Sequence, residues 1–310
     1  MITMAATEAI TITEIKKKGR VGQWLVKNDS RIKDLQYSIK LFSKSPLAVL
    51  GLFIILFFVF VAISAPYIAP YGDSQRNWYE IMKPPSATHF FGTDDMGGDV
   101  FSRIIWGSRV SLYVGFVVVL SAIVIGAIVG GISGYFGGII DELMMRVTDI
   151  FLAFPYLIFA MVICAALGRS TQNIMIALTI TWWPSYARII RGQALSIREQ
   201  KYIESAKAVG GSDSHIILRH LLPNSLSPVI VQSTMDLGGV ILTAAALSFI
   251  GFGAQPGAAE WGRMVSDGSQ FMMTAPWIVT FTGLAILIAC LGFNLFGDGL
   301  RDIMDPKMRR

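Results

Sequence analysis

Six apolar runs, at about positions 46–69, 111–134, 147–167, 173–187, 226–253 and 276–296, constrain this chain more than any other feature in it. Twenty helical residues, rising about 1.5 Å each, cross the roughly 30 Å hydrocarbon core of a bilayer. Most of the runs are longer than that, although 173–187 is shorter and contains Pro184. A soluble helical core would show a polar face every few residues, and these runs do not. Only 15% of the residues are charged, against about 25% in soluble domains, and the mean hydropathy is +0.57. The expected fold class is all-α: a polytopic membrane protein with six transmembrane helices.

The distribution of positive charge sets an expected orientation. With the N-terminus in the cytoplasm, the inside segments carry 20 of the 26 Lys and Arg residues and the outside segments carry 6. Inside loops are the ones enriched in Lys and Arg, so both termini are expected in the cytoplasm of a cell (inner or plasma) membrane. The net charge of +5 then reads as a topological signal. No basic block with interleaved aromatics points to nucleic acid. The first twenty residues, interrupted by Glu8 and Glu14, do not read as a cleavable leader.

The expected organisation is a cytoplasmic arm over 1–45, a first span over 46–69 and an extracytoplasmic loop over 70–109. A core over 110–298 with the other five spans follows, then a tail over 299–310. Within the arm, Ile32, Leu35, Ile39 and Phe42 recur at helical spacing beside Lys33, Lys40 and Lys44, which fits either an interfacial helix or an amphipathic linker.

Chemistry-bearing constellations are few. Cys164 and Cys290 stand alone within apolar runs and read as small apolar residues. His215 and His220 are five apart, a poor spacing for one helix face, so no metal site is expected. No G-x-x-x-x-G-K-[ST] motif occurs, so this chain is not expected to bind ATP through a P-loop. No convergent catalytic set is evident either.

One segment is out of character. Residues 199–224, "EQKYIESAKAVGGSDSHIILRHLLPN", are charged, broken by glycine and flanked by apolar runs. The first part is rich in helix formers, with Tyr202, Ala206 and Val209 on one face. Gly210-Gly211 should stop that helix, Ser212 should cap a second, and Pro223 should close it. A bare connector between spans needs only a handful of residues. Two short helices at a fixed elbow are therefore expected, shaped to dock and to transmit a push.

This segment resembles the cytoplasmic "EAA" loop of permease subunits of ATP-binding-cassette (ABC) importers. Glu204-Ser205-Ala206 stands for E-A-A, Gly210 follows after three residues, and Leu222-Pro223 stands for the terminal L-P. Ser205 replaces an alanine of the family pattern and His220 an isoleucine. "HFFGTDDMGGDVFSRIIWGSRVSL" (89–112), "MRVTDIFLAFPYLIFA" (145–160), "LSFIGFGAQP" (247–256), "EWGRMVSDG" (260–268) and "FNLFGDGLRDIMDP" (293–306) resemble the dipeptide/oligopeptide branch, in its order. Gly98 stands where that branch has an arginine.

The resemblance implies a type I ABC importer permease fold and a transport subunit with no ATPase site of its own. It implies a homologous second permease, two ABC ATPase subunits that bind ATP and Mg, and an extracytoplasmic substrate-binding protein. Peptides are the implied cargo, with nickel or oligosaccharides as alternatives. Glu204, Ser205, Ala206, Gly210, Gly211, Leu222 and Pro223 become candidate ATPase-coupling residues, and Asp94, Asp95 and Asp99 candidate extracytoplasmic contacts.

Asp236 lies deep in an apolar run, where a carboxylate faces either a lumen or a structural partner. Asp149, three residues after Arg146, is expected to pair with it locally. Gly126, Gly130, Gly131 and Gly134 suit close helix packing. A secondary transporter would show paired carboxylates or broken helices in two repeated halves. A channel subunit would leave the 199–224 segment without a purpose.

Overall fold

The computed structural model describes residues 41–304. The 1–40 part of the expected N-terminal arm, most of its 31–44 helix and residues 305–310 of the tail lie outside the described residues. Ten α-helices are described: α1 Pro46–Ile68, α2 Val100–Phe136, α3 Gly138–Leu152, α4 Tyr156–Leu167, α5 Thr171–Arg198, α6 Lys201–Ala208, α7 Asp213–Ile216, α8 Leu222–Ile250, α9 Trp261–Ser269 and α10 Pro276–Met304. A π-helical turn, Ile217–Leu221, joins α7 to α8. The one β feature among the described residues is an isolated bridge between Thr93 and Asp99.

The helices begin where side chains can satisfy their free N–H groups. Ser45 accepts from the Ala48 amide at 3.4 Å with Pro46 at the first position of α1. Asp99 accepts from the Ser102 amide at 2.8 Å, and Ser170 from the Asn173 amide at 3.0 Å.

Among the described residues, four helical segments are long and apolar enough to cross a bilayer: α1, α2, the continuous 213–250 rod and α10. The expected span 147–167 is broken. It falls on α3 and α4, which meet at 86° around Pro155, and this bent pair makes a fifth span if its halves are taken together. Proline lacks the amide to continue the ladder and pushes the preceding residue out of helical geometry. The remaining run, 173–187, lies in α5, 28 residues long, which does not share that apolar character. Ser185, Arg188, Gly192 and Ser196 form an exposed stripe at helical spacing along it. Such a stripe faces water or another protein rather than lipid.

The core forms where α2 packs along α5, the most extensive helix pair. The glycines of α2 make that approach feasible. A Cβ on Gly126 would stand 2.5 Å from that of Tyr186, and one on Gly130 or Gly134 would overlap Ala187 or Ala194. At the periphery, α1 lies against α10 where Gly51 meets the backbone of Gly292 and Phe296. Its other side exposes Phe53, Leu56, Phe60 and Ile63, as a lipid-facing helix does.

Candidate coupling site and pathway

The 199–224 segment is anchored on its underside and open on its outer side. Ile203, Ile216 and Leu221 are fully buried and form a small core with Tyr135 of α2 and Ala194 and Ile197 of α5, separate from the main one. The Tyr135 hydroxyl donates to Asp213 Oδ1 at 2.6 Å, and the Lys207 ammonium sits 5.0 Å from the Tyr135 ring centroid. One tyrosine therefore ties the end of α2 to both α6 and α7.

The elbow has a definite chemistry. The Gly211 amide donates to the Ala206 carbonyl and the Gly210 amide to the Lys207 carbonyl, each at 3.0 Å. This is the paired closure of a Schellman motif, and it requires a left-handed residue between helix and exit. Gly210 is that residue, at φ +85°. Open space surrounds its missing side chain, so the demand for glycine comes from the backbone alone. Ser212 then caps α7 by accepting from the His215 amide at 3.4 Å, as expected.

The second half departs from expectation. Pro223 does not close a short helix; the chain runs on without interruption into α8. The π turn explains this. By widening the ladder to a Leu222 N–H to Ile217 carbonyl bond, it absorbs the proline's missing donor and ring bulk. The element is a short helix, an elbow and the first turns of a 38-residue rod. The π turn also brings His215 and His220, five apart, alongside each other with ring centroids at 5.7 Å. No group of three or more metal-ligating side chains exists among the described residues.

The outer side offers an unusual mixture. Tyr202, Val209 and Leu218 are exposed apolar side chains, Val209 at 86%. Glu204, Ser205, Gly210 and Pro223 are exposed beside them, with Ala206, Gly211 and Leu222 half-buried. A shallow cavity of about 560 Å³ is lined by Ser212, His215, Leu218, Arg219 and Pro223. The expected face is split: Tyr202 and Val209 are exposed, whereas Ala206 packs against the small core whose anchor is Ile203, which that reading omitted.

A collar of ion pairs braces the same end. Arg191 makes a two-pronged contact to Asp141 at 2.6 Å per bond, and Ser133 donates to the same carboxylate. The expected Arg146–Asp149 pair is not formed. Arg146 reaches Glu142 at 3.2 Å and Asp149 takes Arg188 of α5 at 2.6 Å. A bond between helices displaces a bond within one.

Asp236 of α8 is half-buried. One oxygen accepts from Gln232 at 3.0 Å. The other is enclosed without an aligned hydrogen bond, as is the Tyr186 hydroxyl of α5. The two groups interact electrostatically, with Trp182 adjacent. Next to this cluster, Gln193, Ser227, Gln232 and Met235 line an open cavity of about 670 Å³.

At the opposite end, built by 70–99 and 251–275, the buried charges pair with groups of the same chain. Asp94 is ion-paired with Arg103, both about 2% exposed. Arg103 also donates to the Gly257 and Ala258 carbonyls at 3.0 and 2.9 Å. Asp99 caps α2 and holds His89 at 2.9 Å, while Glu80 holds the other ring nitrogen at 3.2 Å. Burial opposes a charge on His89, but these two carboxylates outweigh it and raise its pKa above the usual histidine value. Burial, then Asp267, pushes the half-exposed Asp95 up. Of the three candidate contacts, Asp94 and Asp99 are turned inward and Asp95 alone is half-exposed. At Gly98 a Cβ would stand 2.8 Å from Asp94 and 3.2 Å from the Arg76 guanidinium. The place for a larger side chain is occupied by the Asp94–Arg103 pair, with an arginine already beside it.

A bundle of apolar helices carrying a polar, outward-presented elbow marks a membrane protein with a surface open to a partner. Residues 122–310 match the family described as binding-protein-dependent transport system inner membrane component, and residues 35–85 match the N-terminal TM domain of oligopeptide transport permease C. The chain belongs to the former family, and is the permease component of a binding-protein-dependent ABC importer.

It is 47% identical to the dipeptide transport system permease protein DppC of Alkalihalophilus pseudofirmus, across 88% of this chain and 90% of that one. It is 46% identical to the probable D,D-dipeptide transport system permease protein DdpC of Escherichia coli, across 85% and 88%. It is 40% identical to the oligopeptide transport system permease protein OppC of Bacillus subtilis, across 87% and 88%. A solved structure of the MetNI methionine ABC transporter shares the fold, with a TM-score of 0.53 over 66% of this chain and 97% of that one at 20% identity.

Proposed function

We propose that this chain forms half of the translocation pathway of an importer of short peptides. It pairs with a homologous second permease, receives cargo from an extracytoplasmic binding protein and is driven by two ATPase subunits that bind ATP and Mg. Both termini and the 199–224 element lie in the cytoplasm. The cargo reading draws on relatives named for dipeptides and oligopeptides.

The observation that carries this reading is the elbow. It sits on its own small core, so it moves with the ends of α2 and α5. Its outer side places Tyr202 and Val209 around Glu204 and Ser205. Exposed apolar groups rimmed by polar ones mark a protein-binding surface. An ATPase seated there pushes on Glu204 and the 206–211 closure, and the push passes into the Leu222-Pro223 stretch and along α8 towards Asp236.

Gly210→Val tests the coupling. A β-branched residue at φ +85° costs about 1–2 kcal/mol and reshapes the elbow. In the assembled importer, ATP hydrolysis should continue while uptake falls at least about tenfold, and Gly210→Asn, which tolerates this conformation, should retain much of it. Unchanged uptake in Gly210→Val would sink the proposal. Asp236 is proposed to border the pathway. A cysteine at 236 should react with a water-borne thiol reagent in at least one transport state; inertness in all of them would make the residue a purely structural tie to Tyr186.

A further inference from the structure

Between the first turns of α2, the start of α5 and the segment 254–260 lies a cavity of about 510 Å³. That volume is within the roughly 300–1,000 Å³ of small-molecule sites. Its charged lining consists of Asp73, Arg109 and Glu260. On the orientation proposed above, it opens at the extracytoplasmic mouth.

Arg109, which is exposed like Arg169, differs from the more buried Arg103, Arg263 and Arg76. Arg103 is held by Asp94 and two carbonyls, Arg263 by Asp267, and Arg76 by the carbonyls of Asp73, Gln75 and Gly257. Arg109 has no carboxylate or carbonyl partner among the described residues; it is exposed, with its guanidinium 5.5 Å over the Trp106 ring. Trp106 is itself fixed, its indole N–H donating to the Tyr71 carbonyl at 3.1 Å. The platform limits the rotamers of the side chain and leaves its donor fork free. Arg109 also stands two residues before the apolar run that begins at 111, at the water-facing edge of α2.

The two acidic neighbours are not its partners. Glu260 is buried and accepts from the Gly262 and Arg263 amides, each at 2.9 Å. Asp73 is exposed and accepts from the Ser74 hydroxyl at 3.0 Å. A lining with one free guanidinium and one exposed carboxylate disfavours a polyanion and suits a zwitterion.

We infer that Arg109, held over Trp106, receives the terminal carboxylate of the incoming peptide at the mouth of the pathway. A planar fork matches a carboxylate through two parallel bonds, and a free terminal carboxylate is common to short peptides of any side-chain composition. The inference rests on the peptide reading and adds to it a site and a recognised group.

The test uses the full importer in liposomes, with saturating binding protein loaded with a labelled dipeptide. In Arg109→Gln, uptake should fall about tenfold. The affinity of the binding protein for the complex and its stimulation of ATP hydrolysis should stay within about twofold. Arg109→Lys, which keeps the charge without the fork, should recover part of the uptake. Full uptake in Arg109→Gln overturns the site. So does a loss of binding-protein affinity that matches the loss of uptake, because Arg109 would then be a docking residue. A wild-type complex that binds its partners but imports no peptide instead overturns the cargo reading.

Discussion

The two polar ends of this molecule solve opposite problems. Around Asp94, Asp99 and Arg103 the side chains are buried and answered from within the chain. Around 199–224 the chain buries three anchors and turns Tyr202, Val209 and Leu218 outward. The first arrangement makes a rigid cap over the helix ends, held by loops that would otherwise be loose. The second makes a surface that is complete only when something covers it. Sequence composition hardly separates the two, since both are mixtures of charge, glycine and aromatic residues. What separates them is whether each polar group finds its partner inside the fold.

The comparison breaks most readily at the cap. Asp94→Ala leaves Arg103 buried and unpaired, and removing one partner of a buried ion pair costs about 3–5 kcal/mol. The purified complex should lose thermal stability accordingly, and the 89–112 stretch should become protease-sensitive. Should Asp94→Ala melt like the wild type, the cap is not held by internal pairing and the contrast collapses.

A smaller effect is expected at the elbow's own tether. Tyr135→Phe removes the bond to Asp213 but keeps the ring in the small core. Because Asp213 is exposed, about 1 kcal/mol is expected, below the value for a fully buried charged hydrogen bond. Hydrogen exchange over 201–216 should rise while that over 89–112 does not change. Equal loosening at both ends would show that the elbow is not an independent unit.

Much of this was legible in the sequence, for identifiable reasons. The apolar runs located the helices because hydropathy and length speak directly to burial in lipid. The Gly210 stop and the Ser212 cap were readable because each depends on one residue's local geometry. The bend at Pro155 was hidden because apolarity continues across it and carries no direction. Pro223 misled because a proline normally ends a helix, and the π turn that accommodates it has no sequence signature. Tyr135 escaped notice because its partner Asp213 lies 78 positions away. The inward turn of Asp94 depends on Arg103 likewise finding two distant carbonyls, at Gly257 and Ala258.

The smallest effect sharpens the contrast through pH. His89 is clasped by Asp99 and Glu80 and stacked on Tyr71 with ring centroids at 5.1 Å. Its raised pKa means that the folded loop binds the proton more tightly than the unfolded one. The stabilisation is therefore complete below the ordinary histidine value of about 6.5 and fades as pH climbs through the raised one. Trypsin cleavage after Arg76, corrected for the enzyme's own pH profile, should accelerate with pH over that window in the wild type and lose this dependence in His89→Gln. The elbow carries its histidines on the open side, where His215 is exposed and His220 half-buried. Among the described residues no carboxylate clasp like that of His89 holds a histidine there, so cleavage after Lys207 should not follow the same trend. A parallel rise at both sites would mean that the cap and the elbow loosen as one body, and the distinction between an internally closed end and an end awaiting its partner would have to be given up.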